Sequence, residues 1–289
     1  VETTAAPGSA LRVALRTAHS RSLADLGLNA IGRARFGWRD RSIGSVVERA
    51  GGRYWLRVVW SARDRARGSW WTGNRDASQI DGVAKPRLLE VRAWEEGPLV
   101  YRAELMTLLP GRACATDAVL AGAPALDESW WGELERNLEA LSDARTDRMV
   151  LDPEIMRRRI SVFFGIEMDI DSDDWVPSHG DLHWNNIHRD PFAIADWEAW
   201  GLAPRGYDAA FLLGHSLAVP HVADQIARRF RRDLESEGGI VSQLYVMTKL
   251  LTRADAGEHE HLVPALHRHV GRLLGTRVPP GRRSSSSTT

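Results

Sequence analysis

Only one cysteine, Cys114, occurs in this chain of 289 residues. That excludes an intrachain disulfide and a disulfide-stapled secreted fold, and it makes a reducing cytoplasm the default compartment. Net charge is lacking as well: 38 Lys and Arg balance 38 Asp and Glu. No surplus of one sign points to a nucleic acid or to an anionic membrane surface. Long apolar runs are missing, for nothing approaches the roughly eighteen consecutive apolar residues of a spanning helix. The first residues show no charged start followed by an apolar run, so no secretory leader is expected. Lysine is nearly absent. Lys85 and Lys249 are the only two, and arginine supplies the other 36 basic residues, a bias that reads as GC-rich coding and carries no mechanism by itself.

Against these absences stands an ordinary globular composition, 43% apolar and 26% charged, enough to bury a substantial core. The length exceeds one typical domain and fits two lobes. Along the chain, strands come first and helices later. The stretch from Ala10 to Leu28 has a loose helical pattern of leucines and Val13, read as one or two short helices. Arg35 to Arg49 reads as strand, turn and strand, with Gly37, Asp40, Ser42, Gly44 and Ser45 as turn residues. Gly51-Gly52 turns into Tyr54–Trp60, rich in β-formers, and two more strands are expected at 88–91 and 101–106. Pro110-Gly111 breaks the pattern. Residues 127–164 and 204–275 are helical in period, with Asp152-Pro153-Glu154 as a helix start. The tail, 276–289, is low in complexity and expected to be disordered. Strands followed by helices mean an α+β chain.

The densest chemistry lies at His179-Gly180-Asp181-Leu182-His183-Trp184-Asn185-Asn186, followed ten residues later by Asp196 at the end of Phe192-Ala193-Ile194-Ala195. Asp181 and Asn186 are close enough in sequence for one irregular loop to point both side chains to the same place. An amide oxygen and a carboxylate are hard ligands suited to Mg²⁺, and a short buried strand is a rigid mount for the second acid. Two carboxylates and a carboxamide so arranged meet the needs of phosphoryl transfer, which asks for positioning and charge neutralisation.

The pattern H-G-D-x-x-x-x-N, with a later apolar-Asp-Trp-Glu step and Gly206-Tyr207-Asp208-Ala209-Ala210, resembles the aminoglycoside phosphotransferase and choline kinase family. The resemblance covers about residues 20–275. It implies a two-lobed protein-kinase-like fold: an antiparallel-sheet lobe at 1–108 that binds nucleotide, and a larger, mostly helical lobe at 109–275 that carries catalysis and the acceptor. By the resemblance Asp181 is the catalytic-loop acid, His179 and Asp208 support that loop, and Asn186 and Asp196 bind Mg²⁺. Ser42, Gly44 and Ser45 correspond to the loop over the phosphates of ATP (or GTP). Arg57 stands where the family presents a lysine to the phosphates, and Met106 and Leu108 lie where it holds adenine. The helix glutamate that partners this lysine has no evident counterpart; Asp76 is the only acid in 74–80.

Several readings stay open. Glu167, Asp169, Asp171, Asp173 and Asp174 precede the loop and either attract a cationic acceptor or form a solvated connection. His183 touches substrate or packs the loop, and Trp184, Trp197 and Trp200 wall the site or fill the core. The implied activity is transfer of a γ-phosphoryl group to a hydroxyl of a small molecule: an aminoglycoside-like antibiotic, an amino alcohol or a sugar-like metabolite. A Ser/Thr kinase acting on a peptide in natural-product biosynthesis and a degenerate kinase fold serving as a binding module are the alternatives. The chain is read as a monomer or homodimer, with no nucleic acid or membrane partner.

Overall fold

The computed structural model describes residues 7–275, with side chains from Ala10 onward; the expected disordered tail at 276–289 lies outside the described residues. The chain divides into two compact units, one of Val1–Gln79 and Lys85–Pro110, the other of Ile80–Ala84 and Gly111–Thr289.

In the first unit a helix, α1 (Pro7–Asp25), precedes strands β1 (Asn29–Phe36), β2 (Ser42–Arg49) and β3 (Gly52–Ala62). A short helix, α2 (Ser69–Asp76), follows, then β4 (Leu88–Glu96) and β5 (Leu99–Thr107). The strands form one antiparallel sheet in the order β1-β2-β3-β5-β4. One face carries Ile43, Val47, Leu56, Val58, Tyr101, Ala103 and Leu105, and Leu15 and Ala18 of α1 close over it. Apolar area removed from water at this layer drives the packing of α1. The lead-in is therefore a single helix, and Val13 on its outer side is exposed.

The turn between β1 and β2 is shorter than the sequence suggested. It closes at Gly37–Arg41, and Ser42, Gly44 and Ser45 lie in strand β2, paired with Val59, Arg57 and Leu56 of β3. The Trp55 indole explains Gly44: a Cβ there would meet its ring at 2.4 Å.

In the second unit come β6 (Arg112–Ala113), α3 (Glu128–Ser142), α4 (Pro153–Phe164), β7 (Val176–Ser178), β8 (Ile187–Arg189), β9 (Ala193–Ile194) and β10 (Gly201–Ala203). Helices α5 (Tyr207–Gly214), α6 (Pro220–Arg229), α7 (Arg231–Leu234), α8 (Glu237–Asp255) and α9 (Val263–Leu274) complete it. Asp127 caps α3 by accepting from Trp130 N–H, and Asp152 caps α4 by accepting from the N–H groups of Glu154 and Ile155, with Pro153 next to it. Every residue of α5 is buried, and α8 packs along it. Two small sheets, β6-β8-β9 and β7-β10, hold the segment between His179 and Gly201. The architecture is α+β, an antiparallel sheet followed by a helical body. No helix among the described residues is long and apolar enough to cross a membrane.

Candidate active site

The loop between β7 and β8 is clamped from beneath. Asp208, one residue into α5, accepts the backbone N–H of His179 at 2.6 Å and of Gly180 at 2.9 Å. Burial pushes the Asp208 carboxyl up, and His179 with the two backbone donors pulls it back. Gly180 has φ +81°, and a Cβ there would fall 2.1 Å from the carbonyl oxygen of Ala199. Only glycine fits that turn.

His179 is fully buried. Its Nε2 donates to the Ala195 carbonyl at 3.0 Å and its Nδ1 accepts from Asp181 N–H at 3.4 Å, so the ring is neutral with the proton on Nε2. Burial lowers its pKa in the same sense. The ring meets Trp197 edge to face. His179 thus ties the Asp181 loop to the segment leading into Asp196.

Asp181 is partly exposed. Burial pushes its carboxyl up, but His183, Lys249, His179 and Arg253 together hold it below the usual carboxylate range. It is an anion at neutral pH, able to accept a proton or to orient a hydroxyl. His183 Nε2 lies 3.5 Å from Asp181 Oδ2, and its Nδ1 is buried without a hydrogen-bond partner. His183 therefore packs within the loop, against the Asp181 carboxylate. Asn186 donates from Nδ2 to the Asp181 carbonyl at 3.0 Å, a bond that turns Oδ1 to the opposite side of the amide.

Ala195 N–H donates to the Asn186 carbonyl at 2.8 Å, bringing Asp196 alongside. Asp196 is exposed at the end of the β8–β9 hairpin with φ +62°, a left-handed conformation uncommon outside glycine. Such backbone outliers cluster at functional sites. The following residues are fixed by Arg148, whose guanidinium donates to the carbonyls of Trp200 at 2.6 Å and Glu198 at 3.0 Å.

No three His, Cys, Asp or Glu side chains cluster to hold a metal among the described residues. The donor set of Asn186 and Asp196 instead provides one amide oxygen and one carboxylate. That fits Mg²⁺, which uses one or two carboxylates and completes its shell with phosphate oxygens and water.

The second unit therefore brings together His179, Asp181, Asn186, Asp196 and Asp208. Trp184, Trp197 and Trp200 are buried, which assigns them to the core. Trp184 donates to Ser216 Oγ and stacks on Trp130. All five acids of the 167–174 run are exposed, with Ile170 buried and Ile166 and Met168 turned partly inward. That alternation is a solvated connection. Cys114 is a poor nucleophile, since burial pushes its thiol up to about 12.

The nucleotide candidates lie in the first unit. Arg57 sits directly opposite Glu104 of β5, and Nη1 is 3.4 Å from its Oε2. Glu104 is buried, and it also takes Nδ2 of Asn74 from α2 at 2.8 Å and pairs with Arg102 at 2.8 Å. A base on β3 thus has its acid on the neighbouring strand, while the helix contributes an amide. Glu104 carries no mark along the sequence, because the acid lies on a strand and not on the helix where the family resemblance places it. A β3–β5 register would have placed Glu104 across from Arg57, but register is a tertiary outcome. Ser42 is partly buried at the start of β2. Ser45 is buried and hydrogen-bonded to His19 Nε2 at 2.9 Å, facing α1. Its hydroxyl and the Trp55-covered Gly44 are engaged inside the unit, and both lie in a paired strand, which corrects their reading as turn residues. Met106 is buried in the ladder, and Leu108 follows the strand end, where Thr107 N–H is engaged by the Arg87 carbonyl.

No family model matches the sequence, and no curated protein matches it. Solved structures do match in fold. Aminoglycoside phosphotransferase APH(4)-Ia superposes with a TM-score of 0.58 at 12% identity, covering 90% of this chain and 98% of its own. A thermostable variant of that enzyme, in a ternary complex with ADP and hygromycin B, gives a TM-score of 0.56 at 15% identity over 93% of this chain and 99% of its own. A putative fructosamine-3-kinase from Haemophilus somnus 129PT gives 0.52 at 11% identity over 89% of this chain and 96% of its own. The chain shares the fold of these phosphotransferase and kinase structures.

Proposed function

We propose that this protein is a Mg²⁺- and ATP-dependent phosphotransferase that moves the γ-phosphoryl group to a hydroxyl of a small molecule. The observation that carries the reading is the Asp181 loop: an anionic carboxylate set on a loop clamped by Asp208 and His179, with Asn186 bonded to its backbone and Asp196 beside it. Asp181 would orient the acceptor hydroxyl and take its proton. Asn186 and Asp196 would hold Mg²⁺, which when bound neutralises phosphate charge. Arg57 would contact phosphate oxygens, its guanidinium oriented by Glu104, and Met106 and Leu108 would hold the base. Neighbours of the same fold have been crystallised with ADP and with AMP-PNP, which supports an adenine nucleotide.

Direct measurement of phosphate transfer from Mg²⁺-ATP to a panel of polyols and amino alcohols tests this. Asp181→Asn is expected to lower turnover by about 10²–10⁴-fold while Mg²⁺-ATP still raises the melting temperature. Unchanged turnover in that variant would remove Asp181 from the chemistry. Nucleotide binding with no transfer to any acceptor would favour a binding module.

A further inference from the structure

Lys249, one of only two lysines in the chain, lies partly buried on α8 in an aromatic setting. Its Nζ is 4.9 Å from the centroid of Phe211 and about 6 Å from those of Tyr207 (5.9 Å) and Tyr245 (6.0 Å). The Tyr207 hydroxyl is 3.2 Å away. Phe211 stacks on His215, whose ring lies 5.7 Å from that of His183, and His183 touches Asp181. The ammonium and the Asp181 carboxylate thus belong to one cluster of the second unit.

Two features of the cluster bear on what it receives. First, among the described residues no carboxylate is in ion-pair contact with Lys249. Rings and a phenol offset part of the cost of sheltering the charge, and the cost of an unpaired charge remains. Second, the charged groups facing it are mostly cationic. Arg253 stands one turn further along α8. Arg159 of α4 is held against α8 by Thr248 and Thr252. Asp181 is the one acid that acts on the lysine; burial lowers the Lys249 pKa to about 8 against that pull, with Arg253 and Arg159 adding to the lowering. It remains mostly protonated at neutral pH.

We propose that Lys249 reads an anionic group, such as a carboxylate, on the hydroxyl acceptor, so that the substrate class is a hydroxy acid and not a polycationic amino sugar. This rests on the reading of Asp181 as the residue that faces the acceptor hydroxyl. An acceptor anion completes the ion pair that the fold leaves open, and its hydroxyl reaches the carboxylate in the same cluster. A polycation would meet Lys249, Arg159 and Arg253 with a single anionic side chain among them.

Gluconate, glucose and glucosamine are six-carbon polyhydroxy compounds of similar size that carry negative, zero and positive charge, which makes them suitable probes. Their binding to the full chain is measured by calorimetry at pH 7 with Mg²⁺-ADP present, and phosphate transfer to each from Mg²⁺-ATP is measured in parallel. Gluconate is expected to bind wild type roughly ten- to a hundred-fold tighter than glucose, the worth of one charge-assisted hydrogen bond. That margin is expected to vanish in Lys249→Met and to survive in part in Lys249→Arg. Lys249→Gln, which keeps a polar contact to Tyr207, gives the same comparison should the methionine variant not fold. Preferential binding of glucosamine, or gluconate binding indifferent to residue 249, overturns the proposal. Lys249-dependent gluconate binding without transfer to any probe leaves the anion site standing and counts against the transferase reading. Asp181-dependent transfer to glucosamine alone does the reverse.

Discussion

Glu104 is a single carboxylate that accepts from Arg57 and Asn74 and forms an ion pair with Arg102. Arg57, Arg102 and Asn74 converge on it in the interior of the first unit. Removing one member of such a buried set leaves charge uncompensated, at a cost of about 3–5 kcal/mol. Glu104→Gln is therefore expected to destabilise the chain by that order, read as a fall in the urea midpoint, whereas Arg57→Lys keeps a cation opposite the acid and is expected to stay folded. The Arg57 series separates structure from function. If the guanidinium meets phosphate, Arg57→Ala raises the Michaelis constant for ATP roughly ten- to a hundred-fold, the value of a charged hydrogen bond. ATP kinetics equal in Arg, Lys and Ala forms would leave Arg57 with Glu104 alone. The fork of arginine and the point charge of lysine do not place oxygens alike, so partial activity in Arg57→Lys is the expected pattern.

At the scale of elements, the β7–β8 loop is organised by a helix it does not belong to. Asp208 enters α5 and reaches back to two backbone N–H groups that have no other acceptor in view. Each buried donor left without a partner costs about 1–3 kcal/mol. Asp208→Ala is expected to loosen the loop first, raising amide exchange at His179 and Gly180 and lowering turnover without moving the Asp181 residue itself. Asp208→Asn keeps one acceptor oxygen and should fall between the two. Exchange rates unchanged in the alanine form would refute the clamp. The two small sheets act in the same direction, for β8 and β9 carry Asn186 and Asp196 at their ends and make the pair rigid.

For the molecule as a whole, buried histidines govern the acid side. His215 is fully buried and burial pushes it down to about 3; His269, hydrogen-bonded to Gln243, is pushed down to about 4. Both are neutral in the fold and charged in the unfolded chain below about pH 6.5. The unfolded state then binds more protons, so stability rises with pH between about 4 and 6.5 and is fully present above that range. His179 and His183 shift in the same direction. Asp208, whose proton is held longer in the fold, opposes part of one proton's worth. The expected slope is about 1.4 kcal/mol per pH unit for each net proton, measured by urea unfolding at pH 4.5, 5.5 and 6.5. A flat profile would show that these rings are protonated in the native state.

Residue order alone determined the class of the fold and the linear part of the candidate site. Strand period, helix caps such as Asp152-Pro153, and the spacing of His179, Asp181, Asn186 and Asp196 are local properties, set by side-chain alternation, backbone preference and loop length, and they were legible without coordinates. Tertiary structure decided what depends on which strand lies beside which and what covers each residue. The β3–β5 register made Glu104 the partner of Arg57. Packing against the Trp55 ring and His19 holds Gly44 and Ser45 in a paired strand where a turn was expected. The folding of α8 along α5 carried Lys249 to Asp181, 68 positions away in sequence. Such contacts depend on burial and long-range register, and neither leaves a mark at a fixed spacing along the chain.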